Sequence, residues 1–359
     1  MRAARRGFCD ICGGVIKLIQ FIDLNALRKN LQYLSCRAEA MLLFMVKADA
    51  YGHGMQRCAK AAEGIVDYLG VATVEEGVRL KKSGIEKPIL VTVFCEEDAH
   101  SAVKNDLICG AATPEQITAL ARAAVRQGKT AAVHIKLDTG MNRLGIKGEA
   151  PLKSLLDCAD ASRVEVLGCY SHLYNVNEEQ FQRFAAISKI VKERYPDAVT
   201  HLSSSAALLK NGRDGLDMVR VGIAAYGYGD KNLSPVMSVR SKVVAARAVD
   251  AGEHIGYGDF CAPRKTNIAV VFSGYADGVL RKTCSYALIR ERLCPILTFP
   301  CMDMTFVETG DFLARTGETV WLLSNQLDAE KIARDRGTVP YEVLTSFARE
   351  RCKRVYIGR

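Results

Sequence analysis

Between residues 20 and 236, short apolar runs rich in β-branched residues alternate with segments of helical period, and this alternation most narrows what the chain can become. Eight runs read as strands: Met41–Val46, Tyr68–Ala72, Ile89–Val93, Asp106–Cys109, Ala131–Leu137, Val164–Tyr170, Val199–Leu202 and Met218–Val221. Strands separated by helices pair in parallel through crossovers and bury both faces. The intervening segments carry helix signals of their own. Leu24, Leu27, Leu31 and Leu34 recur at helical spacing, and Thr73 with Glu76 reads as a capping box. Thr113-Pro114-Glu115-Gln116 supplies a cap, a proline at the first helical position and a glutamine at the third; Asn177 with Gln180 repeats the device. Eight such units predict an α/β fold of the TIM-type (β/α)8 class, with a doubly wound sheet as the alternative that pattern alone leaves open.

The texture changes near Leu233-Ser234-Pro235. From Val236 onward, strand-like pieces dominate (Val236–Ala246, Asn267–Phe272, Ser285–Ile289, Thr319–Leu323), and no helix-sized pattern returns until about Asp328. The reading is therefore a barrel over residues 16–236 and a mainly β domain over 237–359, which residues 1–15 could join; a length of 359 residues suits two domains.

Composition removes several classes. With 49% hydrophobic and 25% charged residues, the chain can bury enough surface to offset the entropy of ordering. Its apolar runs, MLLFMV and NIAVVF, are far shorter than the roughly 20 residues of a membrane helix. The start, MRAARRGFCDICGG, holds no apolar stretch of the signal-peptide kind. Thirteen cysteines scattered through apolar segments predict reduced thiols in a cytoplasmic protein; Cys9 and Cys12 form a CxxC with no second pair at metal spacing. A formal charge of +9 suits anionic small molecules, and no basic tract interleaves with aromatics as nucleic acid would require.

In a barrel, chemistry gathers just after the strands. Lys47 directly follows the first run, either as a rim lysine that snorkels or as an amine whose pKa is lowered enough to bond an aldehyde. Tyr51 follows four residues later, its phenol within reach of a phosphate. The fifth run ends in Lys136 and Asp138 on one side of the strand, with Arg143 beyond a glycine-containing turn, and the sixth ends in Ser171-His172. The seventh and eighth deliver Ser203-Ser204-Ser205 and Arg220-Val221-Gly222-Ile223, hydroxyls and exposed N–H groups suited to cradling a phosphate. A phosphorylated cofactor is more economical here than a metal: six histidines include no HExxH or close pair, so no metal is expected.

Several separated blocks occur in one order: VKADAYGHG (46–54), KLDTGMNRLG (136–145), RVGIAAYG (220–227), GYG (256–258), GYADG (274–278), CMD (301–303) and VPYEV (339–343). On these blocks the chain resembles the alanine racemase family, pyridoxal-phosphate enzymes with a barrel and a C-terminal β domain. The resemblance implies that Lys47 bonds the cofactor aldehyde, and that Tyr51, Ser205, Gly222, Ile223 and Tyr341 hold its phosphate, with Ser204 beside them. It places Arg220 against the pyridine nitrogen and makes Tyr257 a second base working in the site of a partner subunit, so that the enzyme is a homodimer. His172 matches the histidine that links that tyrosine to Arg220. Arg143 lies near the cofactor and substrate carboxylate, Met302 of the partner subunit helps hold that carboxylate, and Lys136 matches a lysine often carbamylated to hold Arg143. Tyr275 and Arg281 match residues lining the substrate corridor.

Three departures bear on specificity. Ser204 replaces the usual asparagine, Phe299-Pro300 precedes Cys-Met-Asp where Gly-Arg and an apolar residue are usual, and ARERCKRVY (348–356) replaces the usual arginine-proline-arginine ending. The implied activity is two-base interconversion of L- and D-alanine, supplying D-alanine for a bacterial cell wall. A racemase of broader range, accepting serine or other side chains, is the alternative; a related amino-acid decarboxylase and a non-catalytic pyridoxal-phosphate binder stand further off.

Overall fold

In the computed structural model, residues 18–212, 214–281 and 285–358 are described. Cys9, Cys12 and the first fifteen residues lie outside them. The described chain divides into two units, one of Leu24–Val236 and one in which residues 18–23 join Met237–Ile357.

After the first strand, β1 (Ile19–Asp23), eight strands follow: β2 (Met41–Met45), β3 (Tyr68–Val71), β4 (Ile89–Val91), β5 (Ile108–Ala111), β6 (Ala131–Lys136), β7 (Val164–Tyr170), β8 (Val199–His201) and β9 (Met218–Val221). They pair in parallel in the order β8-β7-β6-β5-β4-β3-β2-β9. Backbone bonds from Asp217 N to Thr200 O (3.1 Å) and from Arg220 N to Ser203 O (3.1 Å) bring the two ends together. Closure decides between the two predicted architectures in favour of the barrel. Leu24, Leu27, Leu31 and Leu34 are all buried along one face of the helix Leu24–Ala38, as their spacing requires.

Register explains where polarity enters the barrel. Lys136 pairs with Tyr170 and Tyr170 with His201, so three side chains from neighbouring strands share one level. All three are buried, as is Arg220 on β9. Residues of the opposite parity on these strands, Leu42, Phe44, Leu69, Val133 and Val221, point to the other face of the sheet and have no measurable exposure. A polar level at the carboxyl ends of the strands is where a barrel of this kind carries its chemistry.

In the other unit, β10 (Met237–Val249) is the organising element. Its first half pairs antiparallel with β1 and with β15 (Thr319–Leu323); its second half pairs with β11 (Thr266–Val271), after a register shift between Val243 and Ala245. β11 continues to β14 (Thr305–Gly310), and β15 to the hairpin of β12 (Tyr286–Ile289) and β13 (Arg292–Pro295). A bulge lets one long strand serve two directions of pairing. The last strand, β16 (Lys353–Ile357), lies parallel to β1 on its other side. The segment Ile19–Asp23, which the sequence reading joins to the barrel, thus stands in this sheet. Val249, Ile255, Ala262 and Ile268 form a core cluster beneath Phe260, Leu297 and Phe306. Among the described residues no helix is long and apolar enough to cross a membrane.

Candidate active site

Lys47 leaves the barrel into a backbone that L-residues avoid. Ala48, Asp49, Ala50 and Tyr51 all have φ between 50° and 56°, one turn of left-handed helix without a glycine. Each such residue costs about 1–2 kcal/mol relative to its right-handed form, so the turn persists only because its neighbours over-determine it. Ala50 N bonds Val46 O (2.8 Å) and Gly52 N bonds Ala48 O (3.0 Å). The carboxylate of Asp49 caps Met55 N at 2.8 Å, Glu76 accepts from Ala48 N at 2.7 Å, and the Tyr51 ring packs on Tyr226. Burial holds the Lys47 amine below the usual lysine range; Arg143 and Arg220 act in the same direction, while Glu76 opposes them. That environment favours the amine over the snorkelling alternative.

Arg220 is fully enclosed and makes five hydrogen bonds to neutral acceptors. Its Nη1 donates to His201 Nδ1 (3.0 Å) and His201 O (3.1 Å); its Nη2 donates to Ser171 O (2.7 Å), Leu202 O (3.1 Å) and His172 Nδ1 (3.4 Å). Burial pushes its pKa down to about 10, which still leaves a cation at neutral pH. Because guanidinium only donates, the proton of each neutral imidazole sits on Nε2. His201 then passes a bond from Nε2 to His134 Nδ1 at 2.8 Å. Burial, reinforced by Arg220, pushes His134 and His172 down to about 3 and His201 well below its ordinary value.

Lys136 stands over the Tyr170 ring at 4.2 Å, and burial with the charges of Arg220 and Arg143 pushes its pKa down to about 7. Asp138, predicted beside it, instead shapes the loop: its Oδ1 accepts from Gly140 N (2.9 Å) and Asn142 N (3.1 Å), which carries the chain toward the exposed Arg143. Lys47, Lys136, Arg143 and Arg220 make one strongly positive field, suited to an anionic ligand.

Around Gly222 the structure builds a small cradle. Ser205 Oγ accepts from Gly222 N (2.9 Å) and Ala224 N (3.4 Å), and a Cβ added at Gly222 would stand 2.6 Å from the Tyr51 hydroxyl. Only glycine admits that approach of phenol, serine and backbone N–H. Ile223 follows at the same turn, and Ser204 is the N-cap residue of the helix Ser205–Asn211, with no capping bond from its side chain. A phosphate fits these donors, an aldehyde fits Lys47, and a pyridine nitrogen fits the buried guanidinium.

The remaining predicted residues lie in the β unit. Tyr257 is 79% exposed, and Met302, Tyr275 and Tyr341 are exposed as well. Two of them share a backbone scaffold: Tyr275 N bonds Cys301 O and Ala276 N bonds Met302 O, each at 3.0 Å. A Cβ on Gly274 would fall 2.2 Å from both Cys301 O and Met302 O. Arg351 clamps this pair of loops, with Nε 3.2 Å from Asp277 and Nη1 2.7 Å from Asp303. Arg281 stacks over Phe299 at 4.8 Å. Sequence reasoning missed Arg351, the His134–His201 chain and the left-handed turn; it saw Glu76 and Gln180 only as helix caps.

A barrel whose rim presents a desolvated amine, a buried guanidinium and a serine–glycine–tyrosine cradle defines an enzyme of the pyridoxal-phosphate class. Comparison with known proteins narrows the class. The alanine racemase N-terminal domain family matches residues 22–230, and the alanine racemase C-terminal domain family matches residues 236–356. The alanine racemase of Cutibacterium acnes is 36% identical over 94% of this chain and 97% of its own length; that of Mycobacterium tuberculosis is 35% identical over 93% and 94%. Among solved structures, the alanine racemase of Streptomyces lavendulae superposes with a TM-score of 0.91 at 28% identity, covering 96% of this chain and 98% of that one. The Bartonella henselae enzyme with covalently bound pyridoxal phosphate gives 0.86 at 27% identity, covering 96% and 100%. The chain belongs to the alanine racemase family.

Proposed function

We propose that this protein interconverts L-alanine and D-alanine with pyridoxal phosphate as cofactor, supplying D-alanine for a bacterial cell wall. The observation that carries this reading is the desolvated Lys47 amine, set in one positive field with the buried Arg220. Bound there, pyridoxal phosphate supplies a ring that takes up electron density when the α-proton leaves. Tyr51, Ser204, Ser205, Gly222, Ile223 and Tyr341 are the residues that would hold the phosphate. Arg220 would donate a hydrogen bond to the ring nitrogen and keep its proton, leaving a weaker electron sink. A weak sink favours return of a proton to the same carbon over loss of carbon dioxide.

Inversion needs a proton carrier on each face of a planar carbon. Lys47 serves one face. Tyr257, contributed by a second copy of the chain, serves the other; its exposure in the single chain suits a group that works elsewhere. His172, neutral with its proton on Nε2, is placed to donate to a phenolate and so ease its formation. Arg143 and Met302, the latter also from the second copy, hold the substrate carboxylate, and Tyr275 lines its corridor. The Lys136 amine, its pKa pushed down to about 7 by burial, suits the carbamate implied for it. The cysteines of the described residues are free thiols, which fits a reducing cytoplasm.

The test is incubation of the cofactor-loaded protein with L-alanine in deuterated water. D-Alanine should form with deuterium at the α-carbon; a loaded protein that yields neither refutes the reading. The Phe299-Pro300 departure, with Arg281 stacked over Phe299 at 4.8 Å, favours a broader substrate range as the second reading. Turnover of serine or larger amino acids comparable to alanine would establish that alternative.

A further inference from the structure

Three helices of the barrel unit begin with the same device and differ in one chemical group. They are Val74–Lys82, Pro114–Gln127 and Glu178–Arg194, whose third residues are Glu76, Gln116 and Gln180. Each third residue accepts a backbone N–H just before its own helix: Ala72 N at 2.7 Å, Ala112 N at 2.7 Å and Tyr174 N at 3.1 Å. That half is ordinary capping. The other half reaches across to the loop that follows an earlier strand. Gln116 Nε2 donates to Phe94 O at 2.8 Å, in the loop after β4, and Gln180 Nε2 donates to Thr139 Oγ1 at 3.2 Å, in the loop after β6, and to His172 O at 3.2 Å. Glu76 Oε1 instead accepts from Ala48 N at 2.7 Å, in the turn after β2.

The far partner explains the choice of side chain. A carbonyl or hydroxyl needs a donor, which an amide supplies. An N–H needs an acceptor, and a residue that must accept on both its atoms has to be a carboxylate. Ala48 N belongs to the peptide that leaves Lys47, and Ala48 opens the left-handed turn.

We propose that Glu76 is the positioning residue for Lys47, a carboxylate that grips the peptide after the lysine and holds the strained turn in place while capping its own helix. The inference rests on the reading of Lys47 as the reacting lysine. Glu76 never touches substrate; it acts through the backbone that aims the amine. Its charge also works to keep the Lys47 proton on, against Arg143 and Arg220.

The decisive variant is Glu76→Gln in the full-length, cofactor-loaded protein. It keeps the helix cap, as Gln116 does at its own site, but turns an NH2 group toward the Ala48 N–H. Amide exchange of residues 48–51 should quicken by at least about tenfold, and kcat should fall by roughly ten- to a hundredfold with KM within about twofold. Gln116→Glu, which sets a carboxylate against Phe94 O, is the control: its melting temperature should drop while kcat stays within about twofold. Unchanged exchange in Glu76→Gln would overturn the inference, as would faster exchange with wild-type kcat. Should the wild-type chain racemise nothing, the functional reading falls, and the exchange comparison still decides whether Glu76 holds the turn.

Discussion

The barrel and the β unit present their candidate groups in opposite ways. In the barrel, Lys136, His201, Ser205 and Arg220 are buried, hydrogen-bonded or stacked, and shifted where they titrate by the loss of water. In the β unit, Tyr257, Met302 and Tyr275 stand exposed, the last two on loops held from behind by backbone bonds and the Arg351 clamp. One half of the chemistry is tuned by desolvation inside its own fold. The other stands open to solvent in the single chain.

The comparison breaks most visibly at its two ends. Lys47→Ala should lower racemisation by roughly four orders of magnitude in initial-rate assays while the melting temperature stays close to wild type. Residual activity near wild type would mean that the barrel half carries no base. Mixing Lys47→Ala chains with Tyr257→Phe chains, each nearly inactive, should restore about a quarter of wild-type activity after subunit exchange: half the dimers are mixed, and each holds one intact site. No recovery would place Tyr257 in the site of its own chain.

A smaller effect separates the units by acid. The pKa of buried His172 and His134 is about 3 in the folded barrel, against the ordinary 6.5. As pH falls below 6.5 the unfolded chain binds protons that the folded barrel refuses, so stability is present above 6.5 and drains away toward 3, by on the order of a few kcal/mol. The β unit carries His254 as its one histidine and Trp321, the single tryptophan, as its reporter. Protection factors of β6 to β9, corrected for intrinsic exchange, should fall between pH 7 and pH 5 while the Trp321 urea transition moves little; equal losses would erase the contrast. Smallest of all, Arg351→Ala should raise KM for alanine a few-fold and leave the barrel's exchange untouched, because an exposed clamp contributes about 1 kcal/mol or less.

Much of the barrel was legible because parallel strands are buried on both faces and read as continuous apolar runs. All eight runs became strands, and the caps at Thr73, Thr113 and Asn177 fell where the residues announced them. Long-range pairing was not legible. Nothing local in Ile19–Asp23 says that it pairs with Met237–Arg240 and with the chain's last strand, and Arg292–Pro295, Thr305–Gly310 and Lys353–Ile357 gave no pattern strong enough to mark them. The rim lysine was visible from its place after an apolar strand. Its left-handed turn was hidden, because alanine and tyrosine avoid that conformation and a single aspartate does not mark a whole turn. Gln180 was recognised as a cap, but its bond to His172 O depends on a neighbour eight residues away that only the fold supplies.

The position of β1 between β10 and β16 governs the order in which a ribosome can release this protein into a finished state. The barrel is one uninterrupted stretch and can close once Val236 has emerged. β1 is made before the barrel and yet completes its pairing after it, since its two neighbours, Met237–Val249 and Lys353–Ile357, both lie beyond Val236. Throughout elongation the nascent chain therefore carries an unmatched strand edge ahead of an already folded barrel, which makes Ile19–Asp23 the segment where premature termination or a chaperone would first be felt.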